Sequence, residues 1–296
     1  VTATTHNIIV TASDDCYAPL VIGLLQSLRS LKTTINFDIG VFDLGLNDAH
    51  KEILSSFGVQ FAKPGIDMDY PGREAWERQA PYYRAMTSRP FLRDYFTGYQ
   101  TYMWMDADSW VQTPEAIETM LTEAAQDNAL YIASEIDRDY LPYFQSSQPW
   151  EYHYKWYSSH FPRDIVSQFF PRPMLNTGVM AASATAPFWT EWANFFKDCL
   201  ARIPHMTREN FMSEQLSLNV ALHLKGLPFK VMPSEFNWLS LYALPMLDHV
   251  TNKYVRPTPP RSTISVLHMT HLKKIHEVEL KTTEGRTIKR CLMFPR

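Results

Sequence analysis

This sequence predicts an α/β fold with a mostly parallel central sheet flanked by helices. Three observations carry the prediction. Short apolar runs alternate with amphipathic stretches through the first half of the chain. Those runs are continuous rather than alternating in polarity, as expected of strands covered on both faces. The length of 296 residues and the 45% hydrophobic content suffice for one large or two small domains with an ordinary core.

The elements follow in order. A first strand is read over residues 6–12, where Ile8, Ile9 and Val10 stand in a row. Val21, Leu24, Leu25, Leu28 and Leu31 then recur at helical spacing. Phe37, Ile39 and Val41 mark a second strand. Asn47 can cap a helix carrying Ile53, Leu54 and Phe57, and Gly58 can end it. A short strand is expected over 59–62, one helix over 81–96 and a buried strand over 102–105. Thr113-Pro114 opens a helix with Ile117, Met120, Leu121 and Ala124 inside, and a strand returns over 129–133. Such alternation places helices against a parallel sheet.

The pattern changes after residue 136. Residues 137–173 are dense in aromatics, among them Tyr140, Tyr143, Trp150, Tyr154 and Trp156. A strand resumes over 175–182, and Pro187 starts a helix with Phe188, Trp192, Phe195, Phe196 and Cys199 at helical spacing. Ser213 is read as the cap of a helix through Leu224. Late strands are expected over 229–232 and 264–267, and Pro257, Pro259 and Pro260 stiffen a loop. With no repeat or low-complexity segment, residues 1–296 read as one domain with a break in character near residue 135.

Charge and length narrow the function. The chain has 28 Lys+Arg against 31 Asp+Glu, net −3, which fits neither a nucleic-acid coat nor a polybasic membrane arm. No apolar run approaches the roughly 20 residues of a membrane span, so only peripheral membrane contact stays open. The chain opens at Val1 with no basic patch and apolar stretch, which speaks against a signal peptide and leaves room for trimming from something longer. Cys16, Cys199 and Cys291 stand far apart without CxxC spacing. They read as small buried hydrophobes in a reducing, cytoplasmic compartment.

The strongest chemical signal is the run Tyr102-Met-Trp-Met-Asp106-Ala107-Asp108. Two carboxylates one residue apart follow an apolar strand, and open α/β sheets bind ligands at the carboxyl ends of their strands. On an extended chain the two share a face, where they repel unless a cation lies between them. Oxygen ligands of this kind suit Mg²⁺ or Mn²⁺. His268 closes a late strand and can complete such a site with its ring. Asp14 and Asp15 can also cap the helix that follows them, and the aromatics of 140–161 can stack on sugar rings or pack a helical layer. Asp137 and Asp139 can flank the same cleft.

The strand and Asp-Ala-Asp resemble the metal-binding motif of GT-A glycosyltransferases. Five further segments, in family order, are similar to family 8, the glycogenin- and lipopolysaccharide-galactosyltransferase-like group. They are Ile9–Ala18, Tyr82-Tyr-Arg84, Asn176-Thr-Gly178-Val-Met180, Glu214-Gln215 through Asn219, and His268-Met-Thr-His271-Leu-Lys-Lys274. The resemblance implies a Rossmann-like GT-A sheet with an aromatic-rich elaboration on the acceptor side. Residues 1–135 would form the nucleotide-sugar-binding half and 136–296 the acceptor and metal-completing half.

It also implies roles. Asp106, Asp108 and His268 would bind Mn²⁺ or Mg²⁺. Ala12, Asp14, Tyr17, Arg84, Ala107, Asn176, His271 and Lys274 would join them around a nucleotide-sugar donor, UDP-hexose above all. Glu214, Gln215 and Lys274 would serve catalysis, the first two beside the anomeric carbon and the lysine on the departing diphosphate. Three departures stand out: Cys16 replaces a common Asn, His271 replaces a Gly, and Glu214, one methylene longer, stands where the family usually has Asp. The expected activity is metal-dependent transfer of a hexose to a saccharide or other hydroxyl acceptor with retention of configuration, as in polysaccharide biosynthesis. The alternatives are a non-catalytic module that binds a glycan or nucleotide sugar, and a phosphohydrolase using Asp106 as nucleophile.

Overall fold

The structure is a computed structural model that describes residues 6–270 and 275–295. Its strands are β1 (Asn7–Ser13), β2 (Phe37–Asp43), β3 (Val59–Ala62), β4 (Thr101–Met105), β5 (Ser109–Val111), β6 (Leu130–Ser134) and β7 (Leu175–Ser183). They continue as β8 (Phe229–Met232), β9 (Trp238–Leu239), β10 (Met246–Asp248), β11 (Lys253–Val255), β12 (Val266–His268), β13 (Glu277–Lys281) and β14 (Thr287–Cys291). Seven of them form the central sheet in the order β3-β2-β1-β4-β7-β6-β8. Strands β3, β2, β1 and β4 are parallel, as are β6 and β8. Only β7 runs against its neighbours, β4 and β6.

The strands of the sheet's middle are apolar because both faces are covered. All residues of β1, β4 and β7 are buried. Successive side chains point to opposite faces, so Ile9, Met103 and Met105 meet the helices Ala18–Ser30 and Glu115–Ala124. Ile8, Val10, Tyr102 and Trp104 face the other side, against Phe188–Arg202, Ser213–Leu224 and part of the aromatic segment. That segment folds into the helices Gln148–His160 and Arg163–Phe169, with Tyr140 and Tyr157 buried and Tyr152 and Tyr154 exposed.

A second sheet, β5-β12-β9, sits at the carboxyl end of β4. Strand β12 pairs antiparallel with β5, placing His268 opposite Ser109, and parallel with β9. The late strand is thus Val266–His268 and lies outside the main sheet. The helix expected over 81–96 is broken into Tyr83–Ser88, a 3₁₀ turn Arg89–Phe91 and Leu92–Tyr95. Pro90 has no N–H to continue the ladder. Asn47 caps its helix, accepting from His50 N at 2.8 Å. Ser213 does not cap: it is the first helical residue, and its hydroxyl donates to Asn210 O at 2.7 Å. Among the described residues no helix is long and apolar enough to cross a membrane.

Candidate active site

The carboxyl ends of β1 and β4 and the start of β7 open into a cleft of about 560 Å³. The reversed direction of β7 builds it. An antiparallel strand brings its beginning, residues 175–179, beside the end of β4, and Asp106 N donates to Gly178 O at 2.7 Å. The chain then turns, Ser109 N donating to Asp106 O at 3.0 Å, and enters β5. Pairing with β12 delivers His268, fixed further by Met269 N on Asp108 O at 2.8 Å.

Asp106, Asp108 and His268 therefore converge, each offering a ligand atom within 4.8 Å of the others. His268 Nε2 stands 3.2 Å from Asp108 Oδ1 and 3.7 Å from Asp106 Oδ2. Gly178 makes room for them: a Cβ there would lie 2.3 Å from His268 Cε1 and 2.8 Å from Asp106 Oδ2. Two carboxylates and one imidazole around a point kept clear by a glycine fit a divalent cation such as Mn²⁺ or Mg²⁺.

Asp106 is held from behind. Its Oδ1 accepts from Trp104 Nε1 at 2.7 Å and from Arg89 Nη2 at 3.0 Å. The Arg89 guanidinium lies 4.3 Å over the Trp104 ring. Its Nη1 donates to Glu214 Oε1 at 3.2 Å and to Thr177 O at 3.3 Å. Glu214 is fully buried, and its Oε2 accepts from Thr177 Oγ1 at 3.0 Å. Burial pushes its carboxyl up to about 7, against the pull of Arg89. Gln215 Oε1 accepts from Thr177 N at 3.1 Å, and Gln215 Nε2 donates to Glu135 at 2.9 Å.

The predicted residues divide into three groups. Ala12, Asp14, Tyr17, Ala107 and Asn176 line this cleft, as do Asp106, Asp108, His268, Glu214 and Gln215. Asp14 also accepts from Tyr17 N at 2.9 Å, at the entrance to the first helix. Asp15 turns away to Asn47 N and His50.

Arg84 is a correction. It lies outside the cleft lining and pairs with Glu77 at 2.5 Å, while Arg89 takes the place in the cleft. Arg89 opens the 3₁₀ turn at Pro90 and is buried against Asp106, Glu214 and the Trp104 ring. Asp137 and Asp139 are not cleft residues either; both are paired with Arg256. His271 and Lys274 lie outside the described residues. Sequence reasoning missed Arg89, Trp104, Glu135, Asn237 and Tyr242. Glu135 could have been found, since it follows a buried strand just as Asp106 does. Asn237, between a 3₁₀ turn and a two-residue strand, carries no such mark.

A model of glycosyl transferase family 8 matches residues 8–269. The chain belongs to this family. It is a glycosyltransferase of GT-A fold. Solved structures agree in fold. The galactosyltransferase LgtC, as an active-site mutant, aligns over 89% of this chain and 87% of its own at 16% identity, TM-score 0.52. The bifunctional glycosyltransferase WbbM aligns over 92% of this chain but 47% of its own, at 13% identity and TM-score 0.53. Mouse xyloside xylosyltransferase 1 aligns over 89% and 97%, at 12% identity and TM-score 0.50. A comparison with curated proteins returns no significant match.

Proposed function

We propose that this glycosyltransferase moves a hexose from a UDP-linked donor to a hydroxyl acceptor, with a divalent ion, Mn²⁺ or Mg²⁺, and retention of configuration. The convergence of Asp106, Asp108 and His268 at the carboxyl end of β4 carries the reading. A bound ion would supply charge neutralisation for the departing diphosphate. Asp14 is set to accept the N3–H of a uracil ring, and Tyr17 to stack on it. Arg89, in place of Arg84, presents its guanidinium to the donor side of the cleft. His271 and Lys274 are assigned to the diphosphate by resemblance.

Glu214 and Gln215 sit under the sugar. Both oxygens of Glu214 are engaged, by Arg89 and Thr177. It therefore acts as a fixed charge or dipole near the anomeric carbon rather than as a nucleophile, and same-face attack by the acceptor is the route this supports. The acceptor meets the opposite wall, where Tyr82, Trp156, Phe211 and Leu241 present apolar faces. Such faces suit the C–H sides of a pyranose. The setting proposed is cytoplasmic polysaccharide synthesis; no disulfide joins Cys16, Cys199 and Cys291.

A thermal-shift titration tests the reading, because a ligand of the folded state raises its stability by mass action. UDP-sugars with Mn²⁺ should raise the Tm, and omission of the metal or Asp108→Asn should remove the rise. Absence of a rise with any nucleotide sugar contradicts it. A rise without any sugar transfer or donor hydrolysis would instead favour the non-catalytic binding module.

A further inference from the structure

We propose that Asn237 is a positioning residue which, oriented through Asn176 by Glu135, decides which nitrogen of His268 meets the cation. The inference rests on the proposed assignment of Asp106, Asp108 and His268 to a divalent ion.

Glu135, directly after the strand β6, is 3% exposed. Its Oε1 accepts from Asn176 Nδ2 at 2.8 Å and from Gln215 Nε2 at 2.9 Å, and its Oε2 accepts from Tyr242 Oη at 2.6 Å. Three donors make this carboxylate an acceptor at every contact. Asn176 must then turn its amide nitrogen toward Glu135 and its Oδ1 the other way. There Oδ1 accepts from Gly178 N at 3.0 Å and from Asn237 Nδ2 at 2.9 Å.

Asn237 is 1% exposed, and with its nitrogen committed its Oδ1 is what faces His268 Nδ1, at 2.9 Å. An acceptor at that position places the ring proton on Nδ1. In the neutral ring the lone pair is then on Nε2, the atom that looks toward Asp108 and Asp106. Turning Asn237 over would set its oxygen against Asn176 Oδ1 and its amide protons against Nδ1. Donor and acceptor counts thus settle the chain from Glu135 to His268, across four separate strand ends. Outer partners of this sort orient metal-binding histidines and raise their basicity.

Mn²⁺ binding to the purified full chain, followed by electron paramagnetic resonance without nucleotide, separates the two claims. Wild type should bind and Asp108→Asn should not; a wild type that binds no Mn²⁺ overturns the metal assignment and this inference with it. Asn237→Leu, similar in volume but without an acceptor, should bind about 10- to 100-fold more weakly. Asn237→Asp keeps an oxygen on Nδ1 and should bind more tightly than the leucine variant. In the Zn²⁺-loaded wild type, ¹⁵N NMR should find the His268 ring proton on Nδ1. Equal Mn²⁺ affinity of wild type and Asn237→Leu, or a ring proton on Nε2 in the loaded wild type, overturns the role of Asn237 alone. The NMR measurement needs no variant and decides the matter if Asn237→Leu fails to fold.

Discussion

The two walls of the cleft are built on opposite principles. On one side Asp106, Glu214, Gln215 and Asn176 are each held by at least two hydrogen bonds from strand ends and helix starts. On the other, Tyr82, Phe211 and Leu241 are 42%, 38% and 44% exposed, and Trp156 projects from the helix Gln148–His160. Hydrogen bonds fix distances and angles; apolar faces contribute contact area and tolerate sliding. One wall therefore suits a reaction with a single geometry, and the other a partner recognised by its ring faces.

Substitutions on either side put this contrast to the test. Asp108→Asn strikes the rigid wall and should lower kcat/KM on the order of 10³-fold, as removal of a main electrostatic stabiliser does. Steady-state kinetics with saturating donor checks it. Arg89→Met should cost about 3 kcal/mol of stability, read by urea unfolding, because it leaves the buried Glu214 without its cation.

Acid should weaken the aromatic side. Burial holds His153 and His160 below the ordinary imidazole value. Well above a pH of about 6.5 neither folded nor unfolded ring is charged. Below it the unfolded chain takes up protons first, so stability falls with pH until the lowered folded values are reached. The slope is at most about 1.4 kcal/mol per pH unit for each ring. His153→Phe should flatten the profile of unfolding against pH.

Trp156→Ala should be mildest, raising the acceptor KM about threefold to tenfold with kcat held, for a loss of about 1 kcal/mol of ring contact. A kcat loss as deep as that of Asp108→Asn would erase the distinction between the walls.

Much of the rigid wall was legible. Asp106 and Asp108 stand after an apolar strand, and strand ends are where such sheets bind ligands. The alternation of elements predicted the helix-covered sheet, because continuous apolar runs need cover on both faces. Arg84 is singled out by its distance from Asp106 in the resembled family, and spacing along the chain does not report that Arg89, at the start of the 3₁₀ turn, is the arginine buried against Asp106 and Glu214. Nor does periodicity report strand direction, so the reversal of β7 was invisible. Asn237 belongs to the site only through pairings that join residues 135, 176 and 268, contacts that no local pattern encodes.

The same reversal has an evolutionary corollary. The chain leaves the sheet at Ser134 and re-enters at Leu175, and these two residues are paired neighbours. Everything between them is an excursion whose two ends are pinned side by side on the rim of the cleft. Tyr157, Phe161, Val166, Phe169 and Met174 pack into the core under the sheet, so it is the exposed part of the excursion that can change in length and composition while the paired strand ends stay in place. If this segment meets the acceptor as proposed, exchange of its exposed part within residues 136–173 between relatives offers a route to new acceptors with Glu135 kept in place.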